Sequence, residues 1–305
     1  MKFSKIKKFV KNPYKVVVYL GNKNLLNWLS DERYIKMIYK ARTGKTLNLK
    51  NPSTYNEKLQ WLKLYNRNSI YTQMVDKYEV RNYIKNSIGE KYLIPLIGQW
   101  DNFNDINFEE LPMKFILKCN HDSGGLVVCL DKNKLDLDKI NKRINKSLKR
   151  NYYNHSREWP YKNIKPKIIC EEFIQDEDGK APMDYKFYCF NGEIKLIQVD
   201  IDRFGNHKQN FYDENWNFKD IRIHCENDKN IEINEPINFN EMKKVVKKLA
   251  KEIPHVRVDL YNVNGKIYFG ELTFFHMSGM TNFKDEKLNE KMGEWIYLPN
   301  VNIEN

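Results

Sequence analysis

The 305-residue chain contains no apolar run that approaches the ~18 residues of a membrane-spanning helix. Its longest early apolar stretch, Val16 to Leu20, is also shorter than the ~7 residues of a signal-peptide core. Cysteine is scarce: there are five, an odd number, and none forms a C-x-x-C pair. These absences exclude a cysteine-built zinc site and indicate a reduced, cytoplasmic protein.

The basic residues are concentrated at one end of the chain. The formal net charge is +12, and residues 1–50 hold 13 Lys+Arg against 2 acidic residues. The rest of the chain is close to neutral, which argues against a nucleic-acid partner. Within residues 1–15, Phe3, Ile6 and Phe9 recur at helical spacing among lysines. This segment fits either contact with an anionic membrane surface, which would make the protein membrane-peripheral, or a short docked helix with solvated lysines.

Helical and strand signals are mixed along the body of the chain. Thr54 and Glu57 form a capping-box pattern ahead of an apolar helical stretch. Asn191-Gly192 separates two alternating segments, as a hairpin turn does. The aromatic, polar residues 151–163 are numerous enough for a mobile flap. The predicted helices are 71–85, 138–149 and 241–251, and the predicted strands are 93–100, 114–119, 167–173, 184–190, 193–201, 255–261 and 266–275. This order predicts an α+β fold.

Asp200 and Asp202 close an apolar strand as a D-x-D pair. Such a pair is typical of the metal site of some nucleotide-sugar glycosyltransferases. The pattern recurs at 136–138 and 176–178, and with 40 acidic residues it is common by chance. The pair therefore supports only an alternative function.

Lys118 ends a predicted strand and precedes a loop of small residues that closes on Gly124 and Gly125. Glycines allow backbone N–H groups to approach phosphate oxygens, and a lysine supplies a point charge for them. The pattern fits a phosphate-binding loop or, alternatively, a tight turn beside a lysine that reaches solvent. We expect His121 in this loop to be a hydrogen-bonding spacer rather than a general base.

The most informative acids, Asp259 and Glu271, flank an Asn264-Gly265 turn. A three-residue loop with Gly265 in the left-handed conformation would pair residue 259 with 269. Four polar side chains would then project from one face, namely Arg257, Asp259, Glu271 and Thr273. The Cβ atoms of Asp259 and Glu271 would then be diagonal neighbours roughly 7 Å apart, which favours a divalent-cation site over a solvent-facing ion pair.

Two adjacent carboxylates, Glu171 and Glu172, end another predicted strand. Strand alternation sends them to opposite faces, which predicts one exposed acid and one acid satisfied by a donor. On the next strand, Asp184 and Lys186 line one face.

In this order the segments resemble the ATP-grasp superfamily, and specifically its TupA-like branch, which is named for teichuronopeptide biosynthesis and found among surface-polysaccharide genes. The resemblance runs from about Leu47 to Pro299 and rests on LNLKNPSTYNEKLQWLKLY, DKYEVRNYI, YLIPLIG, LPMKFILKCNHDSGG, EEFI, DYKFYCFNGE, VRVDLY and GELTFF. It implies three lobes, with ATP held between two antiparallel β-sheets. The expected divisions are a basic segment over 1–50, an N-terminal lobe over 51–112, a small ATP-grasp lobe over 113–174 and a catalytic lobe over 175–305.

The resemblance also implies which residues bind the nucleotide. Arg81 and Lys118 match the cations that contact phosphate and take part in catalysis. The loop 120–125 matches the family's phosphate-binding flap, and residues 171–174 match the hinge that meets adenine mainly through its backbone. The remaining contacts are expected from this loop, this hinge and the following strand, namely Ser123, Gly124, Gly125, Glu171, Glu172, Phe173, Ile174, Asp184 and Lys186.

The resemblance further implies a magnesium site beside a catalytic arginine. Asp259 and Glu271 match the Mg²⁺ carboxylates, and Arg257 matches the arginine that faces the transferred group. Thr273 stands where the family usually has an asparagine ligand, and a hydroxyl is a weaker ligand for Mg²⁺.

These parts imply an ADP-forming carboxylate–amine ligase that uses ATP and Mg²⁺ and passes through an acyl phosphate. We expect it to join an amino acid or amino sugar to a uronic acid in surface-polysaccharide assembly, with substrates that are small, nucleotide-linked or lipid-linked. The alternatives are a nucleotide-sugar glycosyltransferase using Asp200 and Asp202, and a basic binding module without chemistry.

Overall fold

The computed structural model describes residues 14–300, apart from 177–178, 180–181, 202–206 and 224. Residues 1–13, which carry most of the predicted membrane contact, lie outside the described residues. Among the helices of the described part, none combines the length and apolar character needed to cross a bilayer.

Helices and antiparallel strands alternate along the described residues. The α-helices are α1 Tyr14–Asn22, α2 Asp31–Thr43, α3 Tyr55–Tyr65, α4 Ile70–Val75, α5 Val80–Ser87, α6 Leu137–Leu148, α7 Tyr153–Ser156, α8 Phe239–Ala250 and α9 Glu286–Glu294. The strands are β1 Leu96–Trp100, β2 Phe115–Cys119, β3 Leu126–Cys129, β4 Ile168–Glu172, β5 Asp184–Phe190, β6 Glu193–Ile201, β7 Lys208–Tyr212, β8 Phe218–Lys219, β9 His255–Val263 and β10 Lys266–Thr273. The α+β prediction is confirmed.

The strands form two antiparallel sheets. Sheet A has the order β1-β4-β2-β3, and sheet B has the order β10-β9-β5-β6-β7-β8. Sheet A includes β1, so it begins within the segment 51–112 that was expected to form a separate lobe. The lobe divisions themselves stay a prediction.

Each sheet buries one face beneath a helix. On sheet B, alternate residues such as Phe187, Val258 and Leu272 join a core that also contains Met242 and Val246 of α8. Sheet A packs in the same way beneath α6. The opposite face of sheet B is thereby left to carry the polar residues of the strands.

Local signals in two segments are confirmed. The Thr54 side chain accepts from the Glu57 N–H while Glu57 bonds back to the N–H of Thr54, completing the capping box at the start of α3. Asn191 and Gly192 have φ values of 49° and 85°, as a two-residue hairpin turn requires.

The predicted helix over 71–85 is instead two helices, α4 and α5, separated at Asp76. The Asp76 carboxylate accepts from the N–H groups of Tyr78 (2.8 Å) and Glu79 (3.2 Å), which begins a new helix. It also accepts from the side-chain amide of Asn120. A tertiary contact therefore decides where the helix breaks.

Residues 151–163 do not form the flap that their length suggested. They contain α7 and a 3₁₀ turn, Trp159–Tyr161, and Arg157 between them is only 1% exposed. Its guanidinium lies over the Tyr34 ring at 4.1 Å and donates to the carbonyl oxygen of Leu26 at 3.1 Å. The segment is thus fastened to the N-terminal helices.

Candidate active site

A β-bulge brings Asp259 and Glu271 together. The turn is a two-residue loop, since Lys266 pairs with Val263, so the expected three-residue loop is wrong. The register shifts between Phe269 and Glu271, and Glu271 then lies directly opposite Asp259. The expected shared face therefore arises from an extra residue at position 270 and not from the turn.

Arg257 connects all of the predicted metal ligands. Its Nε and Nη2 donate to the two carboxylate oxygens of Asp259, each at 2.6 Å. Nη2 also lies 3.0 Å from Oε1 of Glu271 and 3.2 Å from Oγ1 of Thr273. This bidentate pair holds the guanidinium at the centre of the polar face.

The two carboxylates differ in their surroundings. Asp259 is buried, whereas the side chain of Glu271 is 44% exposed. Burial raises the pKa of Asp259 against the opposing charges of Arg257 and Lys186. Desolvation would also raise the pKa of Glu271, but the charges of Arg257 and Lys77 outweigh it and the shift is downward. Glu271 is therefore the more accessible acid, and its charge is maintained.

The donor set fits Mg²⁺. The described residues contain no cluster of three His, Cys, Asp or Glu side chains placed to hold a metal ion. Asp259, Glu271 and the Thr273 hydroxyl nevertheless offer hard oxygen atoms on one face. Mg²⁺ commonly takes one or two protein carboxylates and completes its shell with phosphate and water, so this set is sufficient beside a nucleotide.

On sheet A, Glu171 binds both predicted phosphate-contacting cations. Its Oε1 lies 3.2 Å from Nη1 of Arg81, and its Oε2 lies 2.6 Å from Nζ of Lys118. Glu171 is 5% exposed, while Glu172 beside it is exposed, as strand alternation predicted. Phe173 and Ile174 follow the strand and are half-buried.

Hydrogen bonds of the buried His121 hold the loop after β2 against the end of α6. His121 is buried and contacts the carbonyl oxygens of Ser147 (3.2 Å) and Arg150 (3.0 Å), and burial lowers its pKa. It therefore serves as a spacer, as predicted. Ser123 at the tip of the loop is exposed and Gly124 is half-buried.

Gly125 closes this loop where no side chain fits. A Cβ at position 125 would lie 2.6 Å from both Cys119 Sγ and Ser147 Oγ. The Gly125 N–H donates to Asp122 Oδ1 at 3.0 Å. The glycine is thus required by close packing at the base of the loop.

Lys77 is a third cation in the cleft that the sequence interpretation did not assign. Its Nζ donates to the carbonyl oxygen of Asp122 at 2.8 Å, and its N–H donates to that of Asn120 at 3.0 Å. Burial and the charge of Lys118 lower the pKa of Lys77, while Glu271 opposes that shift. The sequence feature that could have identified Lys77 is its position next to Asp76 and four residues before Arg81.

A narrow cleft lies between the cations and the strand that carries Glu271. It is lined by residues of both sheets and of the intervening helices, namely Lys77, Val80, Arg81, Leu93, Ile94, Lys118, Glu171, Phe269 and Gly270. Positive groups on one wall thus face the strand that carries Glu271 on the other.

Asp184 and Lys186 occupy the same polar face of sheet B, and Lys186 is the β5 partner of Asp259. Lys186 forms ion pairs with Asp184 and with Asp200. Asp200 also accepts from Gln198 at 2.8 Å and Gln209 at 3.0 Å, and its pKa is lowered to about 2 because Lys186 outweighs the effect of burial. Asp202 lies outside the described residues.

Three aromatic or imidazole groups complete the site and were not singled out from the sequence. His276 Nδ1 lies 2.9 Å from Nη1 of Arg257. The rings of Tyr152 and Tyr161 are 4.9 Å apart. The charge of Glu158 and burial raise the pKa of both tyrosines, and Glu271 adds to the shift. They come from segments that only the tertiary fold brings to the acidic face.

Comparison with solved structures shows several weak likenesses. The D-alanine–D-alanine ligase of Bacillus anthracis is 18% identical, with a TM-score of 0.40 over 66% of this chain and 57% of that chain. The corresponding ligase of Helicobacter pylori is 15% identical, with a TM-score of 0.42 over 81% and 70% of the two chains. The ATP-grasp ligase PsnB, complexed with a minimal precursor, is 12% identical, with a TM-score of 0.41 over 78% and 66%. This chain thus spans little more than half the length of the Bacillus enzyme.

Comparison at the level of families is decisive. None of the curated protein sequences compared with the chain matches it. The family model described as TupA-like ATPgrasp matches residues 57–297, well over half of the chain. The predicted resemblance is confirmed, and the chain belongs to the TupA-like ATP-grasp family.

Proposed function

We propose that this protein is an ATP-dependent, ADP-forming ligase that joins a carboxylate to an amine. The observation that carries the proposal is the pairing of two walls in a member of this family. One wall presents Arg81, Lys118 and Lys77. The other is formed by Phe269 and Gly270, which precede Glu271, and the charge of Glu271 acts on Lys77. This is the charge arrangement that a polyphosphate and its metal ion need.

In the proposed first step, a carboxylate oxygen of the substrate attacks the γ-phosphorus of ATP. A P–O bond to the new acyl phosphate forms, and the bond to the β–γ bridging oxygen breaks, which releases ADP. Lys118 and Arg81 supply positive charge to the phosphates and exchange their contacts with Glu171 for contacts with phosphate oxygens. Lys77 adds charge on the same wall.

In the second step, the nitrogen of an amine attacks the acyl carbon. The C–N bond forms, inorganic phosphate leaves with the C–O electron pair, and the nitrogen loses a proton. The Arg257 guanidinium, held by Asp259, stabilises the developing oxyanion. The product is an amide.

Mg²⁺ would be held by Asp259, Glu271 and Thr273, and when bound it would neutralise charge on the phosphates. Arg257 would share these three side chains with the metal ion, because its Nη2 contacts all of them. We propose that adenine meets the chain mainly through the backbone of Glu171, Glu172, Phe173 and Ile174. The remaining nucleotide contacts that we propose are Ser123, Gly124, Gly125, Asp184 and Lys186.

We further propose that the acid is a uronic acid and that the amine belongs to an amino acid or amino sugar in surface-polysaccharide assembly. The resemblance stated above supports this finer assignment. A cytoplasmic, membrane-peripheral location through residues 1–15 is part of the same proposal. The glycosyltransferase alternative is less well supported, because Asp200 already accepts from Lys186, Gln198 and Gln209.

Ligand-dependent melting and ADP release test the proposed function. We expect ATP with Mg²⁺ to raise the melting temperature, whereas UDP-glucose leaves it unchanged. Asp259→Asn and Glu271→Gln should lower ADP formation, with glucuronate and an amino-acid mixture as substrates, by roughly 10²–10³-fold. The matched control is Glu193→Gln, which removes an exposed carboxylate at the start of β6, outside the proposed site. A rise in melting temperature with UDP-glucose alone would overturn the proposal.

A further inference from the structure

Arg42, near the end of α2, is a half-buried arginine whose charge no described carboxylate neutralises directly. No Asp or Glu oxygen of the described residues forms an ion pair with it within 4.0 Å. Its guanidinium contacts the His155 ring, with Nη2 and Nε2 2.9 Å apart. A guanidinium has several donors in a planar fork, so a single imidazole leaves donors for a carboxylate or phosphate.

The region around this pair is positively charged. Burial, together with the charges of Arg42, Arg150 and Lys63, lowers the pKa of His155 to about 4. Lys63 is fully buried and donates to uncharged oxygens, including the carbonyl oxygen of Ser278 at 2.7 Å. Because burying uncompensated charge is costly, this excess favours an anionic ligand.

One carboxylate faces the same cluster. Glu158 interacts with the charges of both Arg42 and Lys63. Its Oε1 accepts from the hydroxyls of Ser156 at 2.7 Å and Ser278 at 2.8 Å. Arg150 is paired with Asp122 at 3.8 Å, so Glu158 is the acid that opposes Arg42 and Lys63. Two cations therefore share one acid, and a local excess of positive charge remains.

Tyr152 links this cluster to the candidate active site. Its ring lies 6.4 Å from that of His155 and 4.9 Å from that of Tyr161. Tyr152 interacts with the charge of Arg42 and also with that of Glu271. A ligand that reaches from the acidic face past Tyr152 would thus meet Arg42.

The geometry of the pair is fixed by the surrounding structure. The Tyr34 hydroxyl on α2 donates to the carbonyl oxygen of His155 at 3.0 Å. Arg157, two residues further on, is buried between the rings of Tyr34 and Tyr153. The contact between Arg42 and His155 is therefore built into the packing rather than formed between mobile surface groups.

We propose that Arg42 and His155 form an anion subsite that holds an acidic group of the substrate other than its reacting carboxyl group. The inference rests on the proposed ligase function and narrows its substrate class to acids with a second carboxylate or a phosphate. It also gives a role to α2, which lies outside the part of the chain that the family model matches.

Binding of simple anions to the full-length chain, without nucleotide, tests the subsite. Glutarate and inorganic phosphate serve as separate probes of carboxylate and phosphate, at constant ionic strength, with the ¹⁵N-labelled His155 ring as the reporter. We expect saturable binding that raises the pKa of His155. Arg42→Gln should weaken that binding roughly 10- to 100-fold, and Arg42→Lys should restore part of it.

The matched control is Arg33→Gln, which removes an exposed arginine from the same helix and should leave anion binding unchanged. Retained MgATP affinity in Arg42→Gln, measured by calorimetry, shows that the variant is folded and that the nucleotide site is intact. The subsite is disproved if neither anion perturbs His155, or if Arg42→Gln binds them as the unaltered chain does. Absence of ligase activity in the unaltered chain, with anion binding intact, would count against the proposed function and not against the subsite.

Discussion

Glu271 lies directly opposite Asp259 across the β9–β10 pair, and the bulge at Gly270 produces this pairing. In an unbroken register that begins at the two-residue turn, Asp259 would face Gly270, and Glu271 would point to the core side of the sheet. One inserted residue therefore decides whether the two carboxylates share a face.

The bulge leaves little room for a side chain at position 270. A Cβ there would lie 3.0 Å from the carbonyl oxygen of Asp259 and 3.2 Å from Cε2 of Tyr261. We expect Gly270→Val to lower the free energy of unfolding by about 1–3 kcal/mol in urea denaturation and to reduce ADP release. Lys195→Val, at an exposed position of β6, serves as the control. Unchanged stability and activity of Gly270→Val would contradict this account of the bulge.

Glu171 neutralises the two cations that we assign to the phosphates, so its removal should have opposite effects on two measurements. Glu171→Gln leaves Arg81 and Lys118 without their carboxylate. We expect the free energy of unfolding without nucleotide to fall by about 1–3 kcal/mol. Calorimetry should show tighter binding of MgATP, because the phosphates no longer displace a carboxylate. Glu193→Gln, at an exposed position of β6, should change neither quantity. Weaker MgATP binding in Glu171→Gln would refute the exchange.

Lys63 predicts a pH dependence of stability on the alkaline side. Burial lowers its pKa to about 7 in the folded protein, against about 10.5 when unfolded. Between these values the unfolded chain binds more protons, so this residue makes stability rise with pH across that window. Below pH 7 both states are protonated and the contribution to the slope vanishes.

Urea unfolding at pH 7.5 and 9.5 measures the effect of Lys63. We expect Lys63→Met to remove a rise of up to about 1.4 kcal/mol per pH unit relative to the unaltered chain. Comparing the two proteins cancels the titration of other groups. Lys36→Met, at an exposed position of α2, should keep the original slope. Parallel pH profiles for Lys63→Met and the unaltered chain would show that Lys63 does not titrate in this window.

The basic N-terminal segment makes a separate prediction about membranes. Deletion of residues 1–13 should leave MgATP affinity unchanged in calorimetry, because the candidate active site is built from residue 77 onward. The same deletion should abolish sedimentation with vesicles that contain anionic lipid. Equal sedimentation before and after deletion would place any membrane contact elsewhere.

Features that depend on neighbouring residues were predictable from the sequence. The Thr54–Glu57 capping box, the Asn191-Gly192 turn and the strands on either side of it all follow from local backbone chemistry. Alternation within a single strand likewise predicted that Glu171 is satisfied while Glu172 is exposed. These signals, with the resemblance of the ordered segments, were sufficient for the α+β fold and the family.

The tertiary structure decided how distant segments meet. The contact between Arg42 and His155 joins residues 113 apart, and that between Arg81 and Glu171 joins residues 90 apart. The bulge at Gly270 depends on how closely the Asp259 backbone approaches, and residue periodicity carries no information about that distance. The sequence by itself therefore determined most of the strands and the family, whereas packing determined the register, the break at Asp76 and the composition of the site.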